Sequence, residues 1–370
     1  MKIAHIMSGD LWAGAEVQLF HLVTKLAHYD NIKILVILFN HGKLEKELNN
    51  KGIKVVVLDE SELNSFQIFV KLNTTLKQFQ ADVVHTHRNK ENILGGIAAK
   101  LSNCRSIRTV HGASEFSVSI FKPKSYFLNL LDKIIAMFFQ QKIIAVSDEL
   151  KQKLSTSLPE KKLLVINNFV DIKYVEKKSL ERLELKKDST QFDVVFVGRF
   201  VQVKRVDKFY QIALKVLTEY PMLNIHFHML GDGPLISEIK NKIVTDKLDN
   251  KFHLAGFVNN TAPYIKQMDL LCFTSDHEGL PMTLLESIAL ETAVISRHLP
   301  TIKNVLCDGN CGTIINSEDE INQFACAIAK LAKDKDLTKQ NAILAKQNLL
   351  INHSVEATIP KYIKIYTELT

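Results

Sequence analysis

The sequence predicts an α/β protein of two doubly wound domains, each a parallel sheet with helices on both faces, set on either side of a ligand cleft. Three observations carry that expectation. The chain has 370 residues, more than one ordinary core holds when domains run roughly 100–200 residues. Short apolar runs rich in β-branched residues alternate with longer amphipathic stretches from one end to the other, the pattern of buried parallel strands covered by helices. Finally, the charged, weakly periodic stretch VDIKYVEKKSLERLELKKDSTQ, residues 170–191, divides those runs into two sets and reads as the connection between two similar halves.

In the first set the runs are KIAHIM, IKILVILF, IKVVVL, ADVVHTH, SIRTVHG and QKIIAVS; in the second they are FDVVFVG, NIHFHMLG, KFHLAGF, LLCFTS, TAVIS and CGTII. The expected domains are therefore residues 1–168 and 169–354. The tail NHSVEATIPKYIKIYTELT has no strand after it. Ile363, Tyr366 and Leu369 are spaced along one helix face, and a C-terminal helix over about 355–370 is expected to cross back to the first domain. Ligands of doubly wound sheets sit beyond the carboxyl ends of the strands, so the loops after each run are the places to look for chemistry.

Composition narrows the class. Apolar residues make up 46% and charged residues 24%, the balance of a globular protein with a sizeable core. Residues 1–168 hold 22 Lys and Arg against 15 Asp and Glu, and residues 169–370 hold 25 of each. The whole formal charge of +7 thus lies in the first half. No Arg-rich cluster or aromatic-basic platform accompanies it, so nucleic acid is not the expected partner; an anionic surface or acceptor is. The five cysteines, Cys104, Cys272, Cys307, Cys311 and Cys326, form no C-x-x-C pair. MKIAHIM reads as a buried strand rather than a secretion signal, and no apolar run approaches the ~20 residues of a membrane span. A cytoplasmic protein with reduced thiols is expected.

The stretch HEGLPMTLLESIAL, residues 277–290, follows the run LLCFTS. Pro281 suits the first position of a helix, where a missing N–H costs nothing. The free amides near Met282, Thr283 and Leu284 would then face an anion such as a diphosphate. Glu278 precedes the helix and Glu286 lies ~7 Å along its axis, so one carboxylate could meet a sugar hydroxyl and the other a ribose. By the residues alone, a helix bearing surface glutamates stays open as the alternative.

The Glu-x7-Glu spacing inside E-G-L-P-x-x-x-x-E resembles the signature of retaining glycosyltransferases of family 4, which have the two-domain GT-B fold. Other segments follow in the family's order. VGRFVQVKRVD resembles its Gly-Arg and Lys loop, LGDGPL its Gly-x-Gly-Pro turn, and AGFV its Gly-Phe segment. TVHG and SGDLWAGAE resemble its first-domain loops, and VSDELKQKL and NNFVD the approach to its linker. The matches span nearly the whole chain.

The resemblance implies sugar transfer from a nucleotide-diphosphate sugar, UDP-linked by family frequency, with retention of anomeric configuration and without a metal or other cofactor. The acceptor would be a glycan or a lipid-linked precursor of a cell-surface polysaccharide or lipopolysaccharide. The first domain would bind acceptor and the second donor. His111, Arg199, Lys204 and Glu278 would be catalytic, with Arg199 and Lys204 stabilising the leaving diphosphate. Gly14, Gly198, Gly231, Gly279, Leu280, Met282, Thr283, Leu284 and Glu286 would join Arg199, Lys204 and Glu278 around the donor, and Gly14, His87 and His111 would meet the acceptor. Gly14 would let a backbone amide approach a phosphate closely; the family's adjacent glycine is Ala13 here.

Several patterns are set aside. His85 and His87 in VVHTHR alternate, so only His87 is expected to reach the cleft, and a zinc site there lacks further ligands. The Asp-x-Asp form at Asp334 and Asp336 lies in the charged helical stretch KLAKDKDLTKQN rather than at a strand end. GDGP lacks the third glycine of a dinucleotide fingerprint, since Ile236 stands in its place. In SRHLPTIKNVL, Thr301 and Ile302 replace a glycine-rich turn and glutamate common in the family. The rival readings are an enzyme of another reaction type on the same fold, such as an epimerase or phosphorylase, and a non-catalytic nucleotide- or glycan-binding module. The aromatic-basic segment with Phe116, Ile120, Phe121, Lys122, Lys124, Tyr126 and Phe127 motivates peripheral attachment to an anionic membrane surface, with the helix from about Leu128 packed beneath the strand IIAVS.

Overall fold

The structure, a computed structural model, describes residues 1–112, 123–183, 188 and 190–370, with backbone only for 123–125. The chain forms two compact units. The first comprises Met1–Phe169 with Val355–Thr370, and the second Val170–Ser354.

The first unit holds the parallel strands β1 (Lys2–Met7), β2 (Lys33–Leu38), β3 (Lys54–Val57), β4 (Val83–Thr86), β5 (Arg105–Val110), β6 (Lys142–Ala145) and β7 (Leu163–Val165). Their order is β3-β2-β1-β4-β5-β6-β7. The second holds β8 (Phe192–Val197), β9 (Ile225–Leu230), β10 (Phe252–Gly256), β11 (Leu270–Phe273), β12 (Ala293–Arg297) and β13 (Thr313–Ile315), ordered β10-β9-β8-β11-β12-β13. All expected runs become strands. The additional one, β7, is three residues long.

Both sheets reverse direction of growth at one point, between β1 and β4 in the first unit and between β8 and β11 in the second. Loops leaving neighbouring strands there diverge to opposite faces and open a crevice. Within the expected connection over 170–191, Ile172–Lys178 is a helix capped by Asp171, whose carboxylate accepts the Tyr174 N–H at 3.3 Å.

The C-terminal helix Val355–Leu369 packs in the first unit, as expected. Its buried face is Ile359, Tyr362, Ile365 and Tyr366, set against Ile3, Leu22, Ile144 and Phe169; Ile363 and Leu369 lie at the edge of that cluster. Each fully buried side chain of this size contributes about 1.5–3 kcal/mol of transfer free energy. The core of the second unit is aromatic, with Phe196, Phe209, Phe227 and Phe252 in mutual ring contact.

Candidate active site

In the second unit the switch point is built by two strand-end loops that are hydrogen-bonded to each other. Thr274, just beyond β11, donates its hydroxyl to the carbonyls of Lys204 at 3.0 Å and Arg205 at 3.1 Å. The Asp276 N–H donates to the Val203 carbonyl at 2.9 Å. These bonds place Lys204, at the end of the short turn Gln202–Lys204, beside the loop that carries Glu278. Lys204 Nζ lies 2.5 Å from Glu278 Oε1, and the Ser275 hydroxyl donates to the same oxygen at 2.7 Å. Glu278 is 10% and Lys204 24% exposed, so the pair is shielded but open on one side. Arg199 is exposed and has no ion-pair partner among the described residues. Further ion pairs extend from the same strand-end loops. Arg205 spans Asp207 and Asp276, Arg297 spans Asp276 and Glu320, and a recess of about 600 Å³ opens between Gln202, Arg205, Asp276, His277 and Arg297.

The helix after this loop runs Met282–Ala289. Pro281 is its cap rather than its first residue, with extended backbone at φ −68° and ψ 130°. The Leu284 N–H donates to the Pro281 carbonyl at 3.2 Å, so of the three amides expected to face an anion, those of Met282 and Thr283 remain. The side chains of Leu280, Met282 and Leu284 are buried in the core; only their backbone could meet a ligand. Glu286 is half-buried, its carboxylate takes no hydrogen bond among the described residues, and burial pushes its pKa up to about 7. It is therefore not a solvated surface glutamate. Gly279 lies between Glu278 and the cap, half-buried.

The glycines just beyond β8 and β9 differ in their packing. Gly231 has φ +142°, and a Cβ there would lie 1.9 Å from the Gly198 carbonyl oxygen. That close approach is fixed by the Gly198 N–H donating to Leu230 at 3.0 Å and the Phe200 N–H donating to Asp232 at 2.9 Å. Gly198 itself would accept a methyl at ordinary contact distance, 3.5 Å from Phe196.

In the first unit the switch point holds a string of histidines. His5 Nδ1 is 3.2 Å from His87 Nε2, and His87 Nδ1 is 3.1 Å from His111 Nε2. His85 bonds Tyr366 Oη at 2.7 Å and Thr109 Oγ1 at 2.8 Å. The expectation that His85 and His87 point apart is corrected. Residues two apart on a strand share a face, and their rings stack with centroids 4.4 Å apart. Burial holds all four imidazoles far below their ordinary pKa, to about 3 for His5 and His111, so they are neutral at pH 7. The expected lack of a third metal ligand is also corrected, because His5 supplies one. Ligand atoms of His5, His85 and His87 lie within 4.8 Å of one another. Most of those nitrogens already serve in hydrogen bonds, His5 Nε2 being without one.

Gly14 opens the helix Gly14–Leu26 and is exposed, with no left-handed backbone. The strained glycine of that loop is Gly9, at φ +84° with a would-be Cβ 3.1 Å from the Asn40 carbonyl oxygen. The loop is braced by fully buried Glu16, which accepts the Ala13 N–H at 3.2 Å and pairs with Arg88. Among the set-aside patterns, Asp334 caps the helix Lys335–Asn352 by accepting the Leu337 N–H at 2.9 Å. Thr301 reaches the Glu278 carbonyl at 3.5 Å, while Ile302 is buried in the core. Ser275, Arg297, His5 and Arg88 were not singled out from the sequence; the signal available for Ser275 was its place at the end of LLCFTS.

The aromatic-basic residues Phe116, Ile120, Phe121 and Lys122 and the Lys124 side chain lie outside the described residues. The helix that follows, Pro123–Phe138, buries Ile135 and Ala136 but exposes Tyr126, Phe127, Leu130, Ile134 and Phe138, so its later part is only half packed. No described helix is long and apolar enough to cross a membrane.

Two family profiles match the chain: "Glycosyltransferase Family 4" over residues 12–174 and "Glycosyl transferases group 1" over residues 191–334. Among similar proteins is an Escherichia coli UDP-Gal:alpha-D-GlcNAc-diphosphoundecaprenol alpha-1,3-galactosyltransferase, 27% identical across 91% of this chain and 89% of its own. Another is a Campylobacter jejuni GalNAc-alpha-(1->4)-GalNAc-alpha-(1->3)-diNAcBac-PP-undecaprenol alpha-1,4-N-acetyl-D-galactosaminyltransferase, 27% identical across 94% of this chain and 93% of its own. The crystal structure of Anabaena HepE in complex with UDP shares the fold, with a TM-score of 0.81 at 18% identity over 100% of both chains. Sucrose-phosphate synthase from Thermosynechococcus elongatus does so with a TM-score of 0.77 at 14% identity, over 100% of this chain and 99% of that one. Matched in both halves, with the Lys204–Glu278 pair at the switch point of the second, the chain belongs to glycosyltransferase family 4 and is a glycosyltransferase.

Proposed function

We propose that this enzyme is a retaining transferase that moves a sugar from a UDP-sugar to a glycan or lipid-linked acceptor in cell-surface polysaccharide or lipopolysaccharide synthesis. The observation that carries the reading is the shielded Lys204–Glu278 pair at the switch point, in a loop after β8 that also carries the exposed Arg199. The donor diphosphate would lie against Arg199, Lys204 and the amides of Met282 and Thr283. Glu278 would meet the sugar and Glu286 the ribose. An acceptor hydroxyl, bound by the first unit near His87, His111 and the Gly14 loop, would attack the anomeric carbon on the face the diphosphate leaves. The carbon–oxygen bond to phosphate would break, and the hydroxyl proton would pass to the departing phosphate oxygen. Charge stabilisation would come from the two cations, so the proposed chemistry is metal-independent; rates unchanged in chelator are expected, and loss of activity there would refute it. The names of the Escherichia coli and Campylobacter jejuni relatives, with their undecaprenol-linked acceptors, support the acceptor class, and the UDP-bound HepE structure supports the base.

A thermal-shift screen of UDP-, GDP- and ADP-sugars tests the donor. A ligand at 100 times its Kd adds about 2.7 kcal/mol of stability, and stabilisation by the UDP set alone is expected. Glu286→Ala should lower donor-side kcat/KM roughly tenfold to hundredfold, the loss of a charged hydrogen bond worth about 1.5–3 kcal/mol. A variant that binds UDP as tightly as wild type removes Glu286 from the site. The pH dependence has a definite sign. A ribose hydroxyl donates to the ionised carboxylate, and burial pushes that carboxyl up to about 7. UDP affinity should therefore rise with pH, by at most about tenfold per unit, and level off above about 7. Glu286→Gln should flatten the curve; a curve unchanged in that variant assigns the titration elsewhere.

We also propose that the first unit docks on an anionic membrane surface. The charge excess of residues 1–168 and the stripe Phe127, Leu130, Ile134 and Phe138, spaced along one helix face, support it. Sedimentation with anionic vesicles at low salt should weaken when Phe127→Glu is combined with Phe138→Glu. Binding indifferent to both lipid charge and this change would refute docking through this face.

A further inference from the structure

The turn between the helix Pro300–Val305 and β13 contains Cys307 and Cys311, and their sulfurs lie 2.7 Å apart. Three successive residues, Cys307, Asp308 and Gly309, have left-handed backbone at φ +52°, +57° and +97°. For Cys307 and Asp308 that conformation is costly and persists only where the surroundings impose it. Here the Gly309 N–H donates to Leu306 at 2.9 Å, and the Asn310 N–H and side-chain amide donate to the Cys307 carbonyl at 3.0 and 2.8 Å. The coil brings residues four apart onto one side. Cys311 is buried and Cys307 half-buried, so one thiol is reachable from solvent and the other waits behind it.

We propose that Cys307 and Cys311 are a reversible redox-modification site that closes to an intramolecular disulfide by exchange with a low-molecular-weight disulfide. The Cys307 thiolate attacks the small disulfide, forms a mixed disulfide and expels one half as a thiolate. The Cys311 thiol then loses its proton to water, attacks the Cys307 sulfur and expels the second half. Two protein thiols are oxidised to one disulfide while the small disulfide is reduced to two thiols. The sulfurs need to approach from 2.7 Å to about 2.05 Å, a movement within one turn. So short a loop gains least from cross-linking entropy, which fits a local switch better than a structural staple. The site lies just beyond the helix Pro300–Val305, whose first turn carries Thr301, 3.5 Å from the Glu278 carbonyl.

The experiment equilibrates the full-length protein with reduced and oxidised glutathione at graded ratios, quenches with an alkylating agent and maps the peptides by mass. Exposed Cys326 serves as the internal reference. Because closure is intramolecular, the linked 307–311 peptide should form at ratios about tenfold or more less oxidising than those that load Cys326 with glutathione, and dithiothreitol should reverse it. In Cys307→Ser, Cys311 should remain an alkylatable thiol throughout. Free alkylation of both thiols once Cys326 carries glutathione would overturn the proposal. So would a glutathione adduct that stays on Cys307 without closing, or a linked peptide joining either cysteine to another.

Discussion

Arg199→Ala and Lys204→Ala should each lower kcat by about 10²–10³-fold, the usual cost of removing one fixed donor from a site where negative charge develops. Donor affinity should fall far less, because the diphosphate gains its extra charge only as the sugar departs. The two variants should differ in a way the structure specifies. Arg199 is exposed and uncommitted among the described residues, so its removal subtracts one cation. Lys204 is held 2.5 Å from Glu278, so its removal also leaves a shielded carboxylate with only the Ser275 hydroxyl. That carboxylate would repel the donor, and Lys204→Ala should raise KM as well as lower kcat. Lys204→Ala with Glu278→Gln should recover part of the KM loss and none of the kcat loss. Steady-state kinetics with a UDP-sugar would check this; additive losses in the double variant, or equal and purely KM-type losses in both single ones, would remove the cations from the chemistry.

The sequence made the strands and their carboxyl-end loops legible because each strand is a continuous apolar run bounded by turn residues. It could not show which loop groups meet. Lys204 and Glu278 are 74 positions apart, and what joins them is Thr274 donating to two carbonyls of the Lys204 loop. No local pattern marks that threonine. The helix after Glu278 was visible, but its start was misplaced by one residue, since Pro281 suits a cap as well as a first turn.

The histidines show a different limit. Alternation along one strand was read as pointing apart, although residues two apart face the same way, and His5 lies on a neighbouring strand paired to His85 only by register. Burial then decides their chemistry. Four imidazoles packed at one switch point stay neutral, which suits hydrogen-bond positioning of an uncharged hydroxyl better than binding of an anion. The basic excess of the first half resides elsewhere on that unit.

Gly231→Ala should be the most destabilising single change near the donor site, by about 3 kcal/mol, because a left-side backbone conformation and a steric overlap coincide there. Its backbone has φ +142°, and the added methyl would sit 1.9 Å from the Gly198 carbonyl oxygen, a distance that no rotamer can relieve. The loops after β8 and β9 would have to separate, breaking the bond from Phe200 to Asp232 that keeps Arg199 and Lys204 anchored. At 2–4 °C per kcal/mol for a domain of this size, the melting midpoint should fall by roughly 6–12 °C. Gly198→Ala is the matched control. Its methyl would meet Phe196 at 3.5 Å, so its stability should change by less than about 1 kcal/mol. Calorimetry of both variants without nucleotide distinguishes packing from ligand contact. If Gly231→Ala melts with wild type and loses only UDP affinity, the glycine serves the donor directly; a lowered midpoint makes its part in the site that of holding two strand-end loops together.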